Sequence, residues 1–297
     1  MSIMIGQISY LPNNELRTKR LTASRTQIEW FDDLLPNAYT MVVAQGYDAS
    51  ETPNVDDVLL FSEPIGAGPA RNKILEYFYS SDYDWLLLCD DDTTAYDYYN
   101  YKDFIRDVAE NPDKFDGIDA ISAVEPEYYP YKKLNFQDKN NLTHYKFEPR
   151  VLNSGSATSL IRNINKYHGK KIYYPNVDAN KGEGREDIEF LIEWLVQGLT
   201  WYTMQTWIRK SLCFDQSSIF GGDTKVRDAI LMHDLDVLCE RYADLGITRN
   251  VHNKITWAEF NKRYNHCFKV KYIQRRQHIE YTEQETPKEK PIPNALF

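Results

Sequence analysis

DWLLLCDDD, residues 84–92, is a continuous apolar run that ends in three carboxylates. An unbroken run of this kind predicts a strand buried on both faces, as in a parallel sheet covered by helices. Upstream, Ile3–Tyr10 reads as an opening strand, with a turn at Pro12-Asn13-Asn14. Residues 15–35 have helical spacing through Leu16, Leu21, Ile28, Phe31 and Leu35. Tyr39–Ala44 (YTMVVA) is a second strand ended by Gly46, and Val58–Phe61 is a third. Gly66-Ala67-Gly68-Pro69 then leads into a helix from about Ala70 to Tyr79. Strands alternating with helices predict a doubly wound α/β fold, in which ligands bind at the carboxyl ends of the strands. Asp90, Asp91 and Asp92 stand at such an end.

Downstream the pattern is less regular. Ala120–Val124 reads as a strand, 125–150 as a long Tyr-rich polar loop, and Ser156–Ile161 as a return to the sheet. Residues 186–198 form a helix with apolar Ile188, Leu191, Ile192, Leu195 and Val196, stopped by Gly198. Trp201–Ile208 is another strand, residues 224–245 are helical, and the Pro- and charge-rich end after Glu283 is an extended arm. The expected division is 1–210 for donor and acceptor, 211–282 as a helical part completing the site, and 283–297 as a tail.

With 297 residues, 42% of them hydrophobic and 27% charged, the chain can bury a sizeable core. A net charge of −9 argues against nucleic-acid binding by the whole surface. The 22 tyrosines suit sugar or base sites and equally suit half-buried strands. Cys89, Cys213, Cys239 and Cys267 form no CxxC pair, so neither zinc nor a disulfide framework is indicated, and a cytoplasmic location is expected. No apolar run approaches the length of a membrane span.

Three adjacent carboxylates repel one another and call for a cation or full solvation. Their hard oxygens suit Mg²⁺ or Mn²⁺ bridging to a diphosphate; a solvated acidic loop is the alternative. Gly66 to Asn72 (GAGPARN) lets a backbone approach a ligand, with a helix amino terminus and Arg71 to offset phosphate charge. An ordinary glycine-rich turn has the same composition.

A G-x-A/G-x-A-R-N segment opening a helix, followed by a hydrophobic strand ending in D-D-D, resembles the nucleotide-sugar half of GT-A glycosyltransferases over roughly residues 1–125. The resemblance implies a Rossmann-like, mostly parallel sheet flanked by helices with an α-rich C-terminal part. It implies a metal-dependent transfer from a nucleotide sugar, a UDP-sugar foremost, with Mn²⁺ or Mg²⁺. Asp90 and Asp92 would contact the ribose and hold the metal, with Asp91 as a substitute. Arg71, Asn72 and Gly68 would lie beside the nucleotide. Asp187, with neighbour Glu186 in Gly184-Arg185-Glu186-Asp187, would be the base that deprotonates the acceptor hydroxyl; such residues also simply complement a helix dipole. Leu152 to Ser156 (LNSGS) resembles the strand lining the acceptor side. His233, then His252, is the candidate late histidine of the metal site, and Gln45 and Asp48 are positional candidates for reading the base.

Lys262 to Arg276 (KRYNHCFKVKYIQRR) carries Lys262, Arg263, Lys269, Lys271, Arg275 and Arg276 without an acidic residue, interleaved with aromatics. Such a stretch can engage phosphates and unstacked bases, or be a solvated face over an apolar stripe. The chain is similar in general character to bacteriophage enzymes, arabinosyltransferases among them, that glycosylate hydroxymethylated cytosines in DNA. Double-stranded DNA carrying hydroxymethylcytosine is thereby an expected partner. A saccharide or protein acceptor, a sugar nucleotidyltransferase and a non-catalytic binding protein remain as alternatives. The nucleotidyltransferase would have a longer Gly-rich loop, whereas residues 6–17 contain only Gly6.

Overall fold

The computed structural model describes residues 3–11, 17–91, 93–98, 101–124, 144–149, 158–175, 186–211, 233, 235–251 and 255–274. Ten of its strands form one sheet. Its first half is parallel: β3 (Asp57–Phe61), β2 (Tyr39–Gln45), β1 (Ile3–Tyr10) and β4 (Trp85–Asp90) lie side by side in that order. Residues 3–9 of β1 and 85–89 of β4 are all buried, as strands covered on both faces must be.

The pleat sorts these strands between two layers. Leu86 and Leu88 share a core with Ile74 and Phe78 of α2 (Ala67–Ser80) and with Ile188 and Leu191 of a later helix, Glu186–Val196. Trp85, Leu87 and Cys89 point the other way, into a core with Phe31 and Leu34 of α1 (Arg17–Leu34) and Phe104 and Val108 of α3 (Tyr101–Glu110).

Beyond β4 the sheet is mixed. β8 (Thr158–Arg162) runs antiparallel to β4, and β6 (Ala120–Val124) runs antiparallel to β8. β9 (Trp201–Ser211) is parallel to β6 and antiparallel to β5 (Thr93–Tyr98) and β7 (His144–Pro149). β12 (Lys271–Gln274) closes this side by pairing with β7. The remaining strands, β10 (Thr248–Arg249) and β11 (Ile255–Thr256), form a separate pair. After α4 (Ile164–His168), the helix Glu186–Val196 is α5.

Most of the expected elements are present, with boundaries within a few residues. Three strands of the ten-stranded sheet, the short pair β10 and β11, and the helices α3 and α4 were not anticipated. Residues 144–149 belong to β7, not to the long loop expected over 125–150, because alternate Tyr145 and Phe147 are buried against Phe104 and Phe115. β5 directly follows the acidic triplet. The third strand is β12, formed by part of the expected basic stretch, so Lys271 belongs to the sheet. α3 went unread between these elements.

Residues 235–241 are helical, and a short helix spans Ala258–Arg263. Leu238, Tyr242, Ile247, Phe260 and Cys267 join the same core as α2 and α5. Arg241 donates to Glu189 on α5, and the Tyr242 hydroxyl bridges Glu189 (3.1 Å) and Glu193 (3.2 Å). Among the described residues Cys89, Cys239 and Cys267 are free thiols, and no helix is long and apolar enough to cross a membrane.

Candidate functional site

The carboxyl end of β4 faces the amino ends of α2 and α5, and Arg71 joins the three. Its Nη2 donates to both oxygens of Asp90 (3.0 Å each), and its Nη1 donates to Glu186 Oε1 (2.8 Å). The guanidinium also lies 5.0 Å from the centre of the Tyr174 ring, which stacks on Phe190 of α5 at 4.0 Å. Burial works against the Arg71 charge, but Asp90, Tyr174 and Glu186 outweigh it and hold its pKa well above the ordinary value. Burial pushes the Glu186 carboxyl up to about 7; Arg71 opposes that shift and Asp187 adds to it. One cation thus serves two carboxylates at the mouth of the parallel strands.

The chain reaches this geometry through local devices. Gly66, at φ 91, caps α2 in a conformation that L side chains rarely adopt. Gly68 lets the first turn of α2 approach the 174–175 segment, since a Cβ there would meet Pro175 O at 3.2 Å and Glu186 Cγ at 3.5 Å. Asn72 binds the backbone of Tyr174 in both directions, accepting from its N–H (2.7 Å) and donating to its carbonyl (2.8 Å). Gln45 is buried, and its side-chain oxygen accepts from the N–H groups of Ile65 (2.7 Å) and Gly66 (3.1 Å). Gln45 and Asn72 therefore brace the α2 entry and the segment at Tyr174.

Asp91 is turned to the opposite layer from Asp90, as strand alternation requires. It is 2% exposed and accepts from Ser9 Oγ (2.6 Å), Tyr10 N (2.9 Å) and Arg20 Nη2. Burial raises its pKa, and Arg20 opposes the rise. A carboxylate so enclosed does not substitute as a metal ligand, which overturns that expectation.

Asp187 lies beside Glu186 at the start of α5, half-buried and without a hydrogen-bond partner among the described residues. Three acidic residues in the first turn of α5 complement its dipole as well. His233 is helical and exposed. Among the described residues no group of three or more His, Cys, Asp or Glu is placed to hold a metal ion; Asp92, which the expected set joins to Asp90 and His233, lies outside them. Asp92, His252, the 152–156 segment, Gly184 and Arg185 lie outside the described residues.

The basic stretch is divided by the fold. Lys262 is exposed with Glu259 at 4.0 Å, and Arg263 donates to Asp244 O (3.1 Å). Lys271 turns onto the sheet: its Nζ donates to Gly117 O and sits 5.6 Å from the Tyr202 ring centre, and burial lowers its pKa. Arg275 and Arg276 lie outside the described residues.

No protein-family model matches this chain, and no curated protein matches it by sequence. Solved structures do match. A mannosyltransferase from Pyrobaculum calidifontis, solved in complex with GDP-Man and Mn²⁺, aligns at a TM-score of 0.50 and 12% identity over 80% of this chain. The present chain spans 64% of the length of that protein. Glucosyl-3-phosphoglycerate synthase from Mycobacterium tuberculosis, in complex with Mn²⁺ and UDP-Glc, aligns at 0.44 and 11% identity, covering 79% of this chain and 78% of that one. Mannosyl-3-phosphoglycerate synthase from Rubrobacter xylanophilus aligns at 0.39 and 11%, covering 92% and 87%. The fold is of the GT-A, Rossmann-like type: a sheet with a parallel half, flanked by helices.

Proposed function

We propose that this protein is a metal-dependent glycosyltransferase that moves a sugar from a nucleotide sugar to a hydroxyl acceptor. The observation that carries it is the Asp90–Arg71–Glu186 cluster at the carboxyl end of β4, in a fold whose ligands bind at that end. The mannosyltransferase with the same fold was solved with GDP-Man and Mn²⁺, which supports the donor class. The donor set at the strand end fits a hard divalent cation in chemistry: Asp90 offers carboxylate oxygens and keeps part of its side chain in solvent. Asp90 would hold the cation with Asp92. When bound, the metal screens the diphosphate charge as it leaves.

The chain's own residues would then divide the work. Arg71 holds Asp90 and Glu186 at a fixed separation, and the open amino end of α2 receives the phosphates. Asp187 takes the proton of the attacking hydroxyl, since Glu186 is already bound by Arg71.

The acceptor proposed from the sequence is hydroxymethylcytosine in phage DNA. Among the described residues its support is the exposed pair Lys262 and Arg263, with Lys269 nearby in sequence. A saccharide or protein hydroxyl is the alternative acceptor.

Thermal unfolding with UDP- and GDP-sugars, each with and without Mn²⁺, tests the donor assignment. The expected result is a metal-dependent rise in midpoint with one nucleotide family, lost in Asp90→Asn. No rise with any nucleotide sugar would sink the assignment.

A further inference from the structure

The acidic triplet is divided between two layers of the molecule, and its middle member faces away from the cluster just described. Around Asp91 lies a buried polar network foreign to the core on that side. Ser9 Oγ contacts both Asp91 (2.6 Å) and the Tyr47 hydroxyl (2.5 Å). Tyr47 donates to Ser24 Oγ (3.4 Å), and Ser24 donates to Gln7 Oε1 (2.7 Å), whose amide reaches Gln27 (2.5 Å). Gln7, Ser9, Ser24, Gln27 and Asp91 are each no more than 3% exposed. The network ties the ends of β1 and β4, the segment after β2, and α1 to one another.

Asp91 is where these elements meet. One oxygen takes the Ser9 hydroxyl and the Tyr10 amide at the end of β1, and the other takes Arg20 from the first turns of α1. The Asp91 amide continues the sheet by donating to Ile8 O (3.1 Å). Both the backbone and the side chain of Asp91 are therefore fixed to β1. Its chain neighbour Asp90 inherits that constraint and is held on the other face by Arg71 alone among the described residues. Burying a charge this deeply is costly unless it is paired and hydrogen-bonded, and a core residue would pack there without that cost.

We propose that Asp91, clamped by Arg20, Ser9 and the Tyr10 amide, is a positioning residue that fixes the β4 end so that Asp90 meets the donor in a set orientation. This rests on the glycosyltransferase assignment and adds to it a residue that touches neither donor nor metal. A carboxylate outside the ligand shell that orients the ligands typically matters by about 10- to 100-fold in affinity when removed.

The test uses the full chain and four variants: Asp91→Asn, Arg20→Gln, the two combined, and Ser9→Ala. Asp91→Asn turns one of the two acceptor oxygens into an NH2, which meets either the Arg20 guanidinium or the Tyr10 amide, donor against donor. It should weaken binding of UDP-glucose or GDP-mannose with Mn²⁺, whichever the wild type binds, by about 10-fold or more. KM for the donor should rise with kcat changed far less. Combining it with Arg20→Gln restores a neutral amide pair and should recover most of the donor affinity. A purely structural role would lower the unfolding midpoint without this pairwise recovery of affinity. If Asp91→Asn does not fold, Ser9→Ala, which removes one hydrogen bond to Asp91 together with the links to Tyr47 and Ser24 but keeps the ion pair, should show a smaller rise in KM of the same kind. Wild-type affinity in a folded Asp91→Asn, or in Ser9→Ala when Asp91→Asn fails to fold, overturns the positioning role alone. A wild type that binds no nucleotide sugar overturns the enzyme assignment and this role with it.

Discussion

Glu186 and Asp187 are neighbours in sequence with different surroundings, and the difference assigns them different tests. Glu186 is half-buried against Arg71, with its pKa raised to about 7 from the ordinary 4.5. A carboxyl whose pKa is higher in the folded state binds more protons there, so its contribution to stability is complete below pH 4.5 and is lost as pH rises through about 7. Glu186→Gln should flatten the fall in stability between those limits, by on the order of 1–3 kcal/mol, as read from urea unfolding at several pH values. An unchanged pH profile would contradict the burial of this carboxyl. Asp187→Asn should instead lower turnover by roughly 10²- to 10⁴-fold while donor binding stays near the wild-type value. Full turnover in Asp187→Asn would move the base to Glu186 or point to a mechanism without one.

At the scale of elements, the entry to α2 depends on braces that contact no ligand. Asn72→Ala would remove both hydrogen bonds to the Tyr174 backbone and leave that N–H and carbonyl to find other partners. The expected cost is about 1–3 kcal/mol in chemical denaturation, with weaker donor binding because Tyr174 supports Arg71. A neutral result would mean that water replaces the amide. The parallel half of the sheet was legible because fully buried strands leave unbroken apolar runs, such as 85–89, between clear turns. So were the helices α1, α2 and α5, which follow clear turns and are long enough to show their apolar positions. β7 and β12 were not: the buried Tyr145 and Phe147 of β7 are separated by a lysine and flanked by His144 and Glu148, and in β12 Lys271 and Ile273 are only half-buried, so neither stretch shows an apolar run. Within the site, Arg71 and Asp90 could be picked out in the sequence, whereas the ion pair of Arg71 with Glu186 spans 115 residues and no local pattern encodes it. The opposite orientation of Asp91 follows from strand alternation once β4 is fixed. The bracing by Gln45 and Asn72 depends on long-range contacts that no local pattern encodes.

For the molecule as a whole, the open question is what brings an acceptor to an acidic protein. If DNA is the acceptor, its binding must weaken steeply with salt, since phosphate contacts release counterions. Replacing Lys262 and Arg263 together with alanine should flatten the dependence of log affinity on log salt by about one unit per lost contact, with donor binding unaffected. A salt slope identical to wild type would remove these two residues from any DNA surface. Transfer to a saccharide or protein but never to duplex DNA carrying 5-hydroxymethylcytosine would exclude the DNA acceptor and leave the transferase standing.

The pairing of β12 with β7 joins Lys271–Gln274 to a strand more than a hundred residues earlier, and Lys271 reaches back to Gly117. During synthesis β7 therefore leaves the ribosome long before its partner exists. At about 5–20 residues per second the wait is on the order of ten seconds. Throughout it, the backbone edge of β7 that β12 will cover stands open, a strand edge of the kind that recruits other chains. A released chain ending before residue 271 should therefore co-purify with chaperones more than the full chain does.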